Sequence, residues 1–321
     1  MDGPDEPGHD GPVEEAKMAS SEIVLHHYPS SPFSEKIRVA FGIKRIAWRS
    51  VEIPNMMPKP DLMPLTGGYR KTPVMQIGAD IYCDTQIILR ELERRHPAPA
   101  LFDGGLDYAL AFWSDRLFFM PSVAVVFAEV GDMVPEAFRQ DRAKMSGGTF
   151  STDALKAAAP SARDQWRAHA GFVAETLADG RAFLTGNDPK AADIHAYMNV
   201  WWIKAAIPHV APSLLAEFSA LEAWSGRMAA FGHGNPAPMD SKEALAIAKS
   251  ARTEAREAED PFGQLQPGDK VRVAADDYGR DPVAGTVIFA DAREIAIRRS
   301  APETGEVAVH FPRAGFTVTK A

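Results

Sequence analysis

Lys71-Thr72-Pro73-Val74 constrains this chain more than any other stretch. A proline at the entrance to a β-run cannot donate to the ladder, so it marks an edge, a bulge or a cis bond. A cis bond at Pro73 would leave the N–H and C=O of Thr72 open to an extended ligand. Two helix starts flank it in sequence, Ser31-Pro32-Phe33-Ser34 before it and Asp84-Thr85 after it. Helix N-termini present unpaired N–H groups and partial positive charge, which suits a carboxylate and a thiolate. The three segments together point to a small anionic thiol peptide laid across neighbouring loops.

With 321 residues the chain has room for two domains and part of a third. A net charge of -8 argues against a general binder of nucleic acid or anionic membrane. Cys83 is the single cysteine, so no intramolecular disulfide can form and a reducing, cytoplasmic setting is expected. Residues 1–21 are rich in Gly, Pro, Asp and Glu and read as a disordered tail. The apolar run Pro121 to Val130 is too short to span a bilayer and contains Glu129.

The periodicity then divides the chain. Ile23-Val24-Leu25 reads as a first strand, Pro32 to Gly42 as a helix closed by its glycine, and Ala47 to Ile53 as a second strand. Thr72 to Ile77 and Ala79 to Cys83 form a hairpin split at Gly78, and Thr85 to Arg95 is a helix. This βαβ-ββα order over residues 22–96 is that of a thioredoxin-like domain. His96-Pro97-Ala98-Pro99 reads as a linker. Residues 106–235 are Ala-rich and helical in period, with helices expected at Leu106 to Ala128, Asp153 to Ala178, Ala191 to Ala206 and Ser213 to Ala230. Residues 241–260 read as a solvated helical connector. Residues 262–321 carry five short strands separated by turns, which suggests a small closed β-barrel. The expected class is α+β.

Four motifs in order carry a family resemblance. Tyr28-Pro29-Ser30-Ser31-Pro32-Phe33-Ser34-Glu35-Lys36-Ile37-Arg38, then Lys71-Thr72-Pro73-Val74, then Asp84-Thr85, resembles the N-terminal domain of a serine-type, bacterial-like glutathione S-transferase. Gly186-Asn187-Asp188-Pro189-Lys190-Ala191-Ala192-Asp193-Ile194 resembles that family's second-domain motif, which nucleates a buried helix. The likeness runs from about Ile23 to Ala230, with the C-terminal barrel appended. Two departures stand out. Asp84-Thr85 replaces the family's usual Glu-Ser, and Lys190 replaces its Ser or Thr cap, leaving Asp193 to reach back to free N–H groups.

The resemblance implies glutathione as co-substrate and no metal. Ser31, with Ser30 as the alternative, donates to the sulfur. Thr72, beside Pro73, pairs its backbone with the cysteinyl amide, and Asp84 and Thr85 hold the γ-glutamyl end. Phe33 borders the peptide, and Lys59 or Arg70 reaches the glycyl carboxylate. A hydrophobic electrophile is expected between domains, near Tyr28, Met56, Met57, Trp113, Phe118, Phe119 and Met120. Trp201 and Trp202 read equally as core. Cys83 reads as a buried small hydrophobe, because the reactive helix N-terminus holds Ser31. His26 and His27 alternate in direction along their strand and cannot pair on a metal.

The function so implied is attack of a glutathione thiolate on an apolar electrophile, for detoxification, by a homodimer. A glutathione-dependent isomerase would use the same thiolate. The rival class is a non-catalytic scaffold whose barrel recruits a partner, with Arg293, Arg298 and Arg299 as its local positive charge.

Overall fold

In the computed structural model the described residues are 22–148, 150–254 and 264–321. The expected tail at 1–21 and the last part of the connector, 255–260, lie outside them. The chain is α+β, as its periodicity predicts.

The first half builds on a short βαβ unit. Strands β1 (Ile23–His27) and β2 (Ala47–Glu52) are parallel, joined by α1 (Pro32–Lys44). β3 (Val74–Ile77) pairs antiparallel with β1, and β4 (Asp80–Cys83) with β3. A four-residue helix, α2 (Met63–Thr66), interrupts the loop before β3, and α3 (Thr85–Arg95) follows β4. Ser31 and Pro32 start α1 as expected, but Gly42 does not end it. The helix runs on to Lys44 and closes on Arg45 in the left-handed region, φ 54°. Gly42 has a different reason. A Cβ there would sit 2.6 Å from the Phe231 carbonyl oxygen and closer still to that of Gly232.

The second domain is helical. α4 (Leu106–Val130) contains a widened π-turn at Trp113–Phe118. It is followed by α5 (Glu136–Met145), α6 (Thr152–Thr176), α7 (Ala191–Ala206), α8 (Ala211–Leu215) and α9 (Ser219–Ala230). α5 is unforeseen in the sequence because it is polar on most faces. The single helix expected over Ser213 to Ala230 is two, α8 and α9. α4 is long and apolar enough to cross a membrane, yet Phe118, Val125 and Val126 on it are buried in the same apolar cluster as Trp166 of α6. Lys190 offers no acceptor to α7. Asp193 does the work instead: its carboxylate accepts from the Lys190 N–H at 3.0 Å, the Leu184 N–H at 2.9 Å and the Trp224 indole at 2.7 Å.

The remaining elements return to the sheet. β5 (Asn235–Pro238) pairs parallel with β2, and its two prolines are tolerated because it lies at the sheet edge. α10 (Ser241–Ser250) is not the solvated connector expected from its charge. Ala244, Leu245 and Ala248 are buried, and Gln76 donates to the Ala244 carbonyl at 2.9 Å. The five C-terminal strands are present: β6 (Lys270–Ala275), β7 (Val283–Ala290), β8 (Glu294–Ala301), β9 (Gly305–Pro312) and β10 (Phe316–Lys320). They form the order β10-β6-β7-β8-β9, but not a separate closed barrel. β9 gives its outer edge to β4 in parallel register, Ile81 against Val309 and Tyr82 against His310. One ten-stranded sheet thus runs through both ends of the chain. Its apolar packing is shared: Val24, Val74 and Ile81 belong to the same buried cluster as Val271, Val287, Ile297 and Phe311. The other face of the first strands, with Leu25, Met75 and Tyr82, packs with α1, α3 and the helical domain.

Candidate functional site

Three loop ends meet between the domains. The turn after β1 leads into α1, the loop before β3 carries Thr72-Pro73, and the turn after β4 carries Asp84-Thr85. Five of the residues singled out from sequence, Phe33, Thr72, Pro73, Asp84 and Thr85, line one cleft there. The Thr72–Pro73 bond is cis.

Each polar group in the cleft has a traceable anchor. Ser31, the expected thiol partner, is buried at the N-cap of α1, just before Phe33 in sequence, and is not among the residues that line the cleft; its Oγ accepts from the Ser34 N–H at 3.1 Å. That bond uses an acceptor lone pair and leaves the hydroxyl proton to donate. Ser30 is an exposed turn residue. Asp84 sits at φ 97°, and its side chain caps α3 through the Gln86 N–H at 2.9 Å. Burial raises the Asp84 pKa, while the Gln86 N–H, Lys71 and Lys36 oppose the rise. Thr85 accepts from Lys36 Nζ at 3.2 Å.

The helical domain contributes Asp115 and Arg116 from the π-turn of α4, together with Phe112. Such widened turns re-aim side chains and recur at functional sites. Asp115 accepts two bonds from the fully buried Lys36, at 2.7 and 2.9 Å. Burial lifts its carboxyl to about 6 despite that partner.

The sequence expectations sort unevenly. Lys59 is buried behind Thr72, donating to its Oγ1 at 2.8 Å and to the Arg70 carbonyl at 2.9 Å. Burial, with Arg142 and Arg70 nearby, lowers it to about 7. Arg70 is ion-paired to Asp141. Neither therefore points an unengaged charge into the cleft. Phe118 is fully buried against Trp113 and Trp166, at centroid distances of 5.5 and 5.7 Å, so it is core and not pocket. Met120 faces outward from α4 at 55% exposure. Tyr28 packs over Lys59, 5.9 Å from its ring centre, and Met56 is half-buried in the following loop. None of Tyr28, Met56, Met57, Trp113 and Met120 is among the cleft residues. Phe119 stacks on Trp202 at 5.4 Å and meets Phe33 edge-on at 4.8 Å, forming the wall behind the cleft. Cys83 is buried, which pushes its thiol well above the ordinary range, so it is unreactive. His26 is engaged with Gln76 and His27 with Ser50, and burial lowers both, to about 4 and about 3.

Four cleft residues come from an unexpected place, the C-terminal strands. Asp277 and Tyr278 from the β6–β7 loop, Gly315 before β10 and Phe316 at its start complete the lining, beside Tyr69 and Lys71. In sequence the only signal was a turn at Gly279-Arg280-Asp281, and turns carry no information about what they will face.

Residues 25–100 match the family model "Glutathione S-transferase, N-terminal domain", and residues 122–232 match a "Domain of unknown function (DUF7962)". The chain is similar to the crystal structure of a GST-like protein from Pseudomonas syringae, with 37% identity, a TM-score of 0.77, and coverage of 94% of this chain and 100% of that one. It is also similar to a glutathione S-transferase from Rhodospirillum rubrum F11, with 19% identity, a TM-score of 0.48, and coverage of 64% of this chain and 87% of that one. No curated protein sequence matches.

Proposed function

The chain belongs to the glutathione S-transferase family, and on that premise we propose that it is a working glutathione transferase that ionises the thiol of glutathione for attack on a hydrophobic electrophile. The observation that carries this reading is the convergence of positions 33, 72, 73, 84 and 85 on one cleft, beside the α1 N-terminus capped by Ser31. In the proposed mode the γ-glutamyl ammonium meets Asp84 or Asp115, and its carboxylate meets Thr85 and the first N–H groups of α3. The cysteinyl amide runs along Thr72, and the sulfur lies at the Ser31 hydroxyl.

The energetics fit that placement. A free thiol has a pKa near 8.5. Lowering it by about two units requires about 2.7 kcal/mol of preference for the anion. A hydroxyl donating to a charged acceptor supplies about 1.5–3 kcal/mol, and the helix N-terminus adds to it. The thiol proton leaves to solvent. The sulfur lone pair forms the S–C bond, and the leaving group departs with its electron pair. The isomerase variant shares the thiolate and differs only in forming no lasting conjugate. A homodimer and a cytoplasmic setting belong to the same proposal. The exposed apolar residues Leu106, Leu117 and Met120 on α4 support the first, and the lone thiol of Cys83 supports the second.

The test is an ultraviolet titration of the thiolate of bound glutathione. Ser31→Ala should raise its pKa by about one to two units with affinity largely kept, since the donor to the anion is lost along with a helix cap worth about 1 kcal/mol of stability. Ser30→Ala should leave it unchanged. An unaltered thiolate pKa in Ser31→Ala would defeat the proposal.

A further inference from the structure

The cations of the cleft are already bound to carboxylates, and those carboxylates come from the third unit of the chain. Lys71, immediately before Thr72, pairs with Asp277, and its Nζ lies 4.3 Å from the Tyr278 ring centre. Arg116, from the π-turn of α4, pairs with Asp276. The loop is pinned further along by the Gly279 N–H, which donates to the Met145 carbonyl at 2.8 Å. Tyr278 is half-buried and lines the cleft beside Asp277, and its surroundings push the phenol well above its ordinary value.

We propose that the β6–β7 loop, Asp276 to Arg280, is a built-in pseudo-ligand: its two successive carboxylates hold the two cations that an anionic thiol peptide would use, and the tripeptide binds by displacing it. This rests on the cleft being the glutathione site. The charge balance supports competition over closure. Without the loop, Lys71 and Arg116 balance Asp84 and Asp115 in the lining, and both cations are free to meet the carboxylates of a ligand. With the loop in place, Asp276 and Asp277 occupy those cations, turn the balance negative and oppose a ligand carrying two carboxylates and a thiolate. A lid meant to close over such a ligand would leave those cations facing inward. The outer of the two ionic tethers is also suited to release. Arg116 and Asp276 are 38% and 39% exposed, and exposed pairs of this kind contribute little individually.

Calorimetric titration with glutathione tests the proposal on the full chain, comparing the natural protein with Asp277→Asn and with Asp276→Asn/Asp277→Asn. The open fraction of molecules scales the apparent affinity, so the double variant should bind roughly tenfold more tightly and the single variant by an intermediate factor. Amide exchange supplies an independent readout. Saturating glutathione should speed exchange at Gly279 in the natural protein, because its bond to Met145 breaks as the loop leaves. Equal or weaker binding by the double variant, or slowed exchange at Gly279, would make the loop a closing wall and overturn the proposal while leaving the glutathione reading intact. Absence of glutathione binding by every variant would instead remove the reading of the cleft, and the competitive role with it.

Discussion

The joint between β4 and β9 rests on one buried charge, and pH should expose it. His310 is buried between Asp80 and Glu294, with its ring nitrogens 2.9 and 2.6 Å from their oxygens, and it stacks on Tyr82 with ring centres 4.5 Å apart. Burial opposes its charge, but the bonds to Asp80 and Glu294 outweigh that and raise it from 6.5 to about 9. Each pKa unit is worth about 1.4 kcal/mol, so protonated His310 contributes about 3 kcal/mol to the folded state. Because the folded pKa is the higher one, this contribution is complete below pH 6.5 and disappears as pH rises through about 9. Urea unfolding at intervals from pH 6 to pH 10 should show the natural protein losing about 3 kcal/mol across that window. His310→Gln should be about 3–5 kcal/mol less stable at pH 6.5, because two buried carboxylates lose their cation, and it should show no such fall. The same loss of stability between pH 6.5 and 9 in both proteins would refute the role given to His310.

Two further outcomes follow from the packing. Lys36→Met should destabilise by about 1–3 kcal/mol in thermal or urea unfolding by leaving the half-buried Asp115 without its cation, and Asp115→Leu added to it should recover most of the loss. Gly42→Ala should cost about 1–3 kcal/mol despite its gain of up to about 1 kcal/mol in helix propensity, because the new methyl meets the backbone of Phe231 and Gly232; a stabilised variant in urea would show that this close approach does not constrain α1.

The local motifs were readable because each is a short-range physical device. Ser31-Pro32 sets a helix N-terminus by a cap and a fixed φ, and both are complete within a few residues. Asp193 could be expected to reach back to Lys190 because N3 and the N-cap always adjoin. The pocket residues expected on α4 failed for the opposite reason. A helical stripe of aromatics does not say which neighbour it faces, and the π-turn at Trp113–Phe118 rotates Phe118 into the core while turning Asp115 and Arg116 toward the cleft. The charged stretch after Ser241 looked solvated because its few apolar residues, Ala244, Leu245 and Ala248, are small and share one face.

By itself the sequence determined the helix starts at Ser31 and Asp84, the strand–helix order of residues 22–96, the placement of Pro73 between those two starts, and the five C-terminal strands. Those depend on turn chemistry and on hydrophobic period. The tertiary structure alone decided that β9 adds to β4, that His310 is clamped between Asp80 and Glu294, and that Asp276 and Asp277 reach Arg116 and Lys71. Strand edges and surface charges pair by position in space. Apart from Glu294, 16 residues from His310 in the same hairpin, these partners lie some 160 to 230 residues apart in the chain and leave no periodic trace of their meeting.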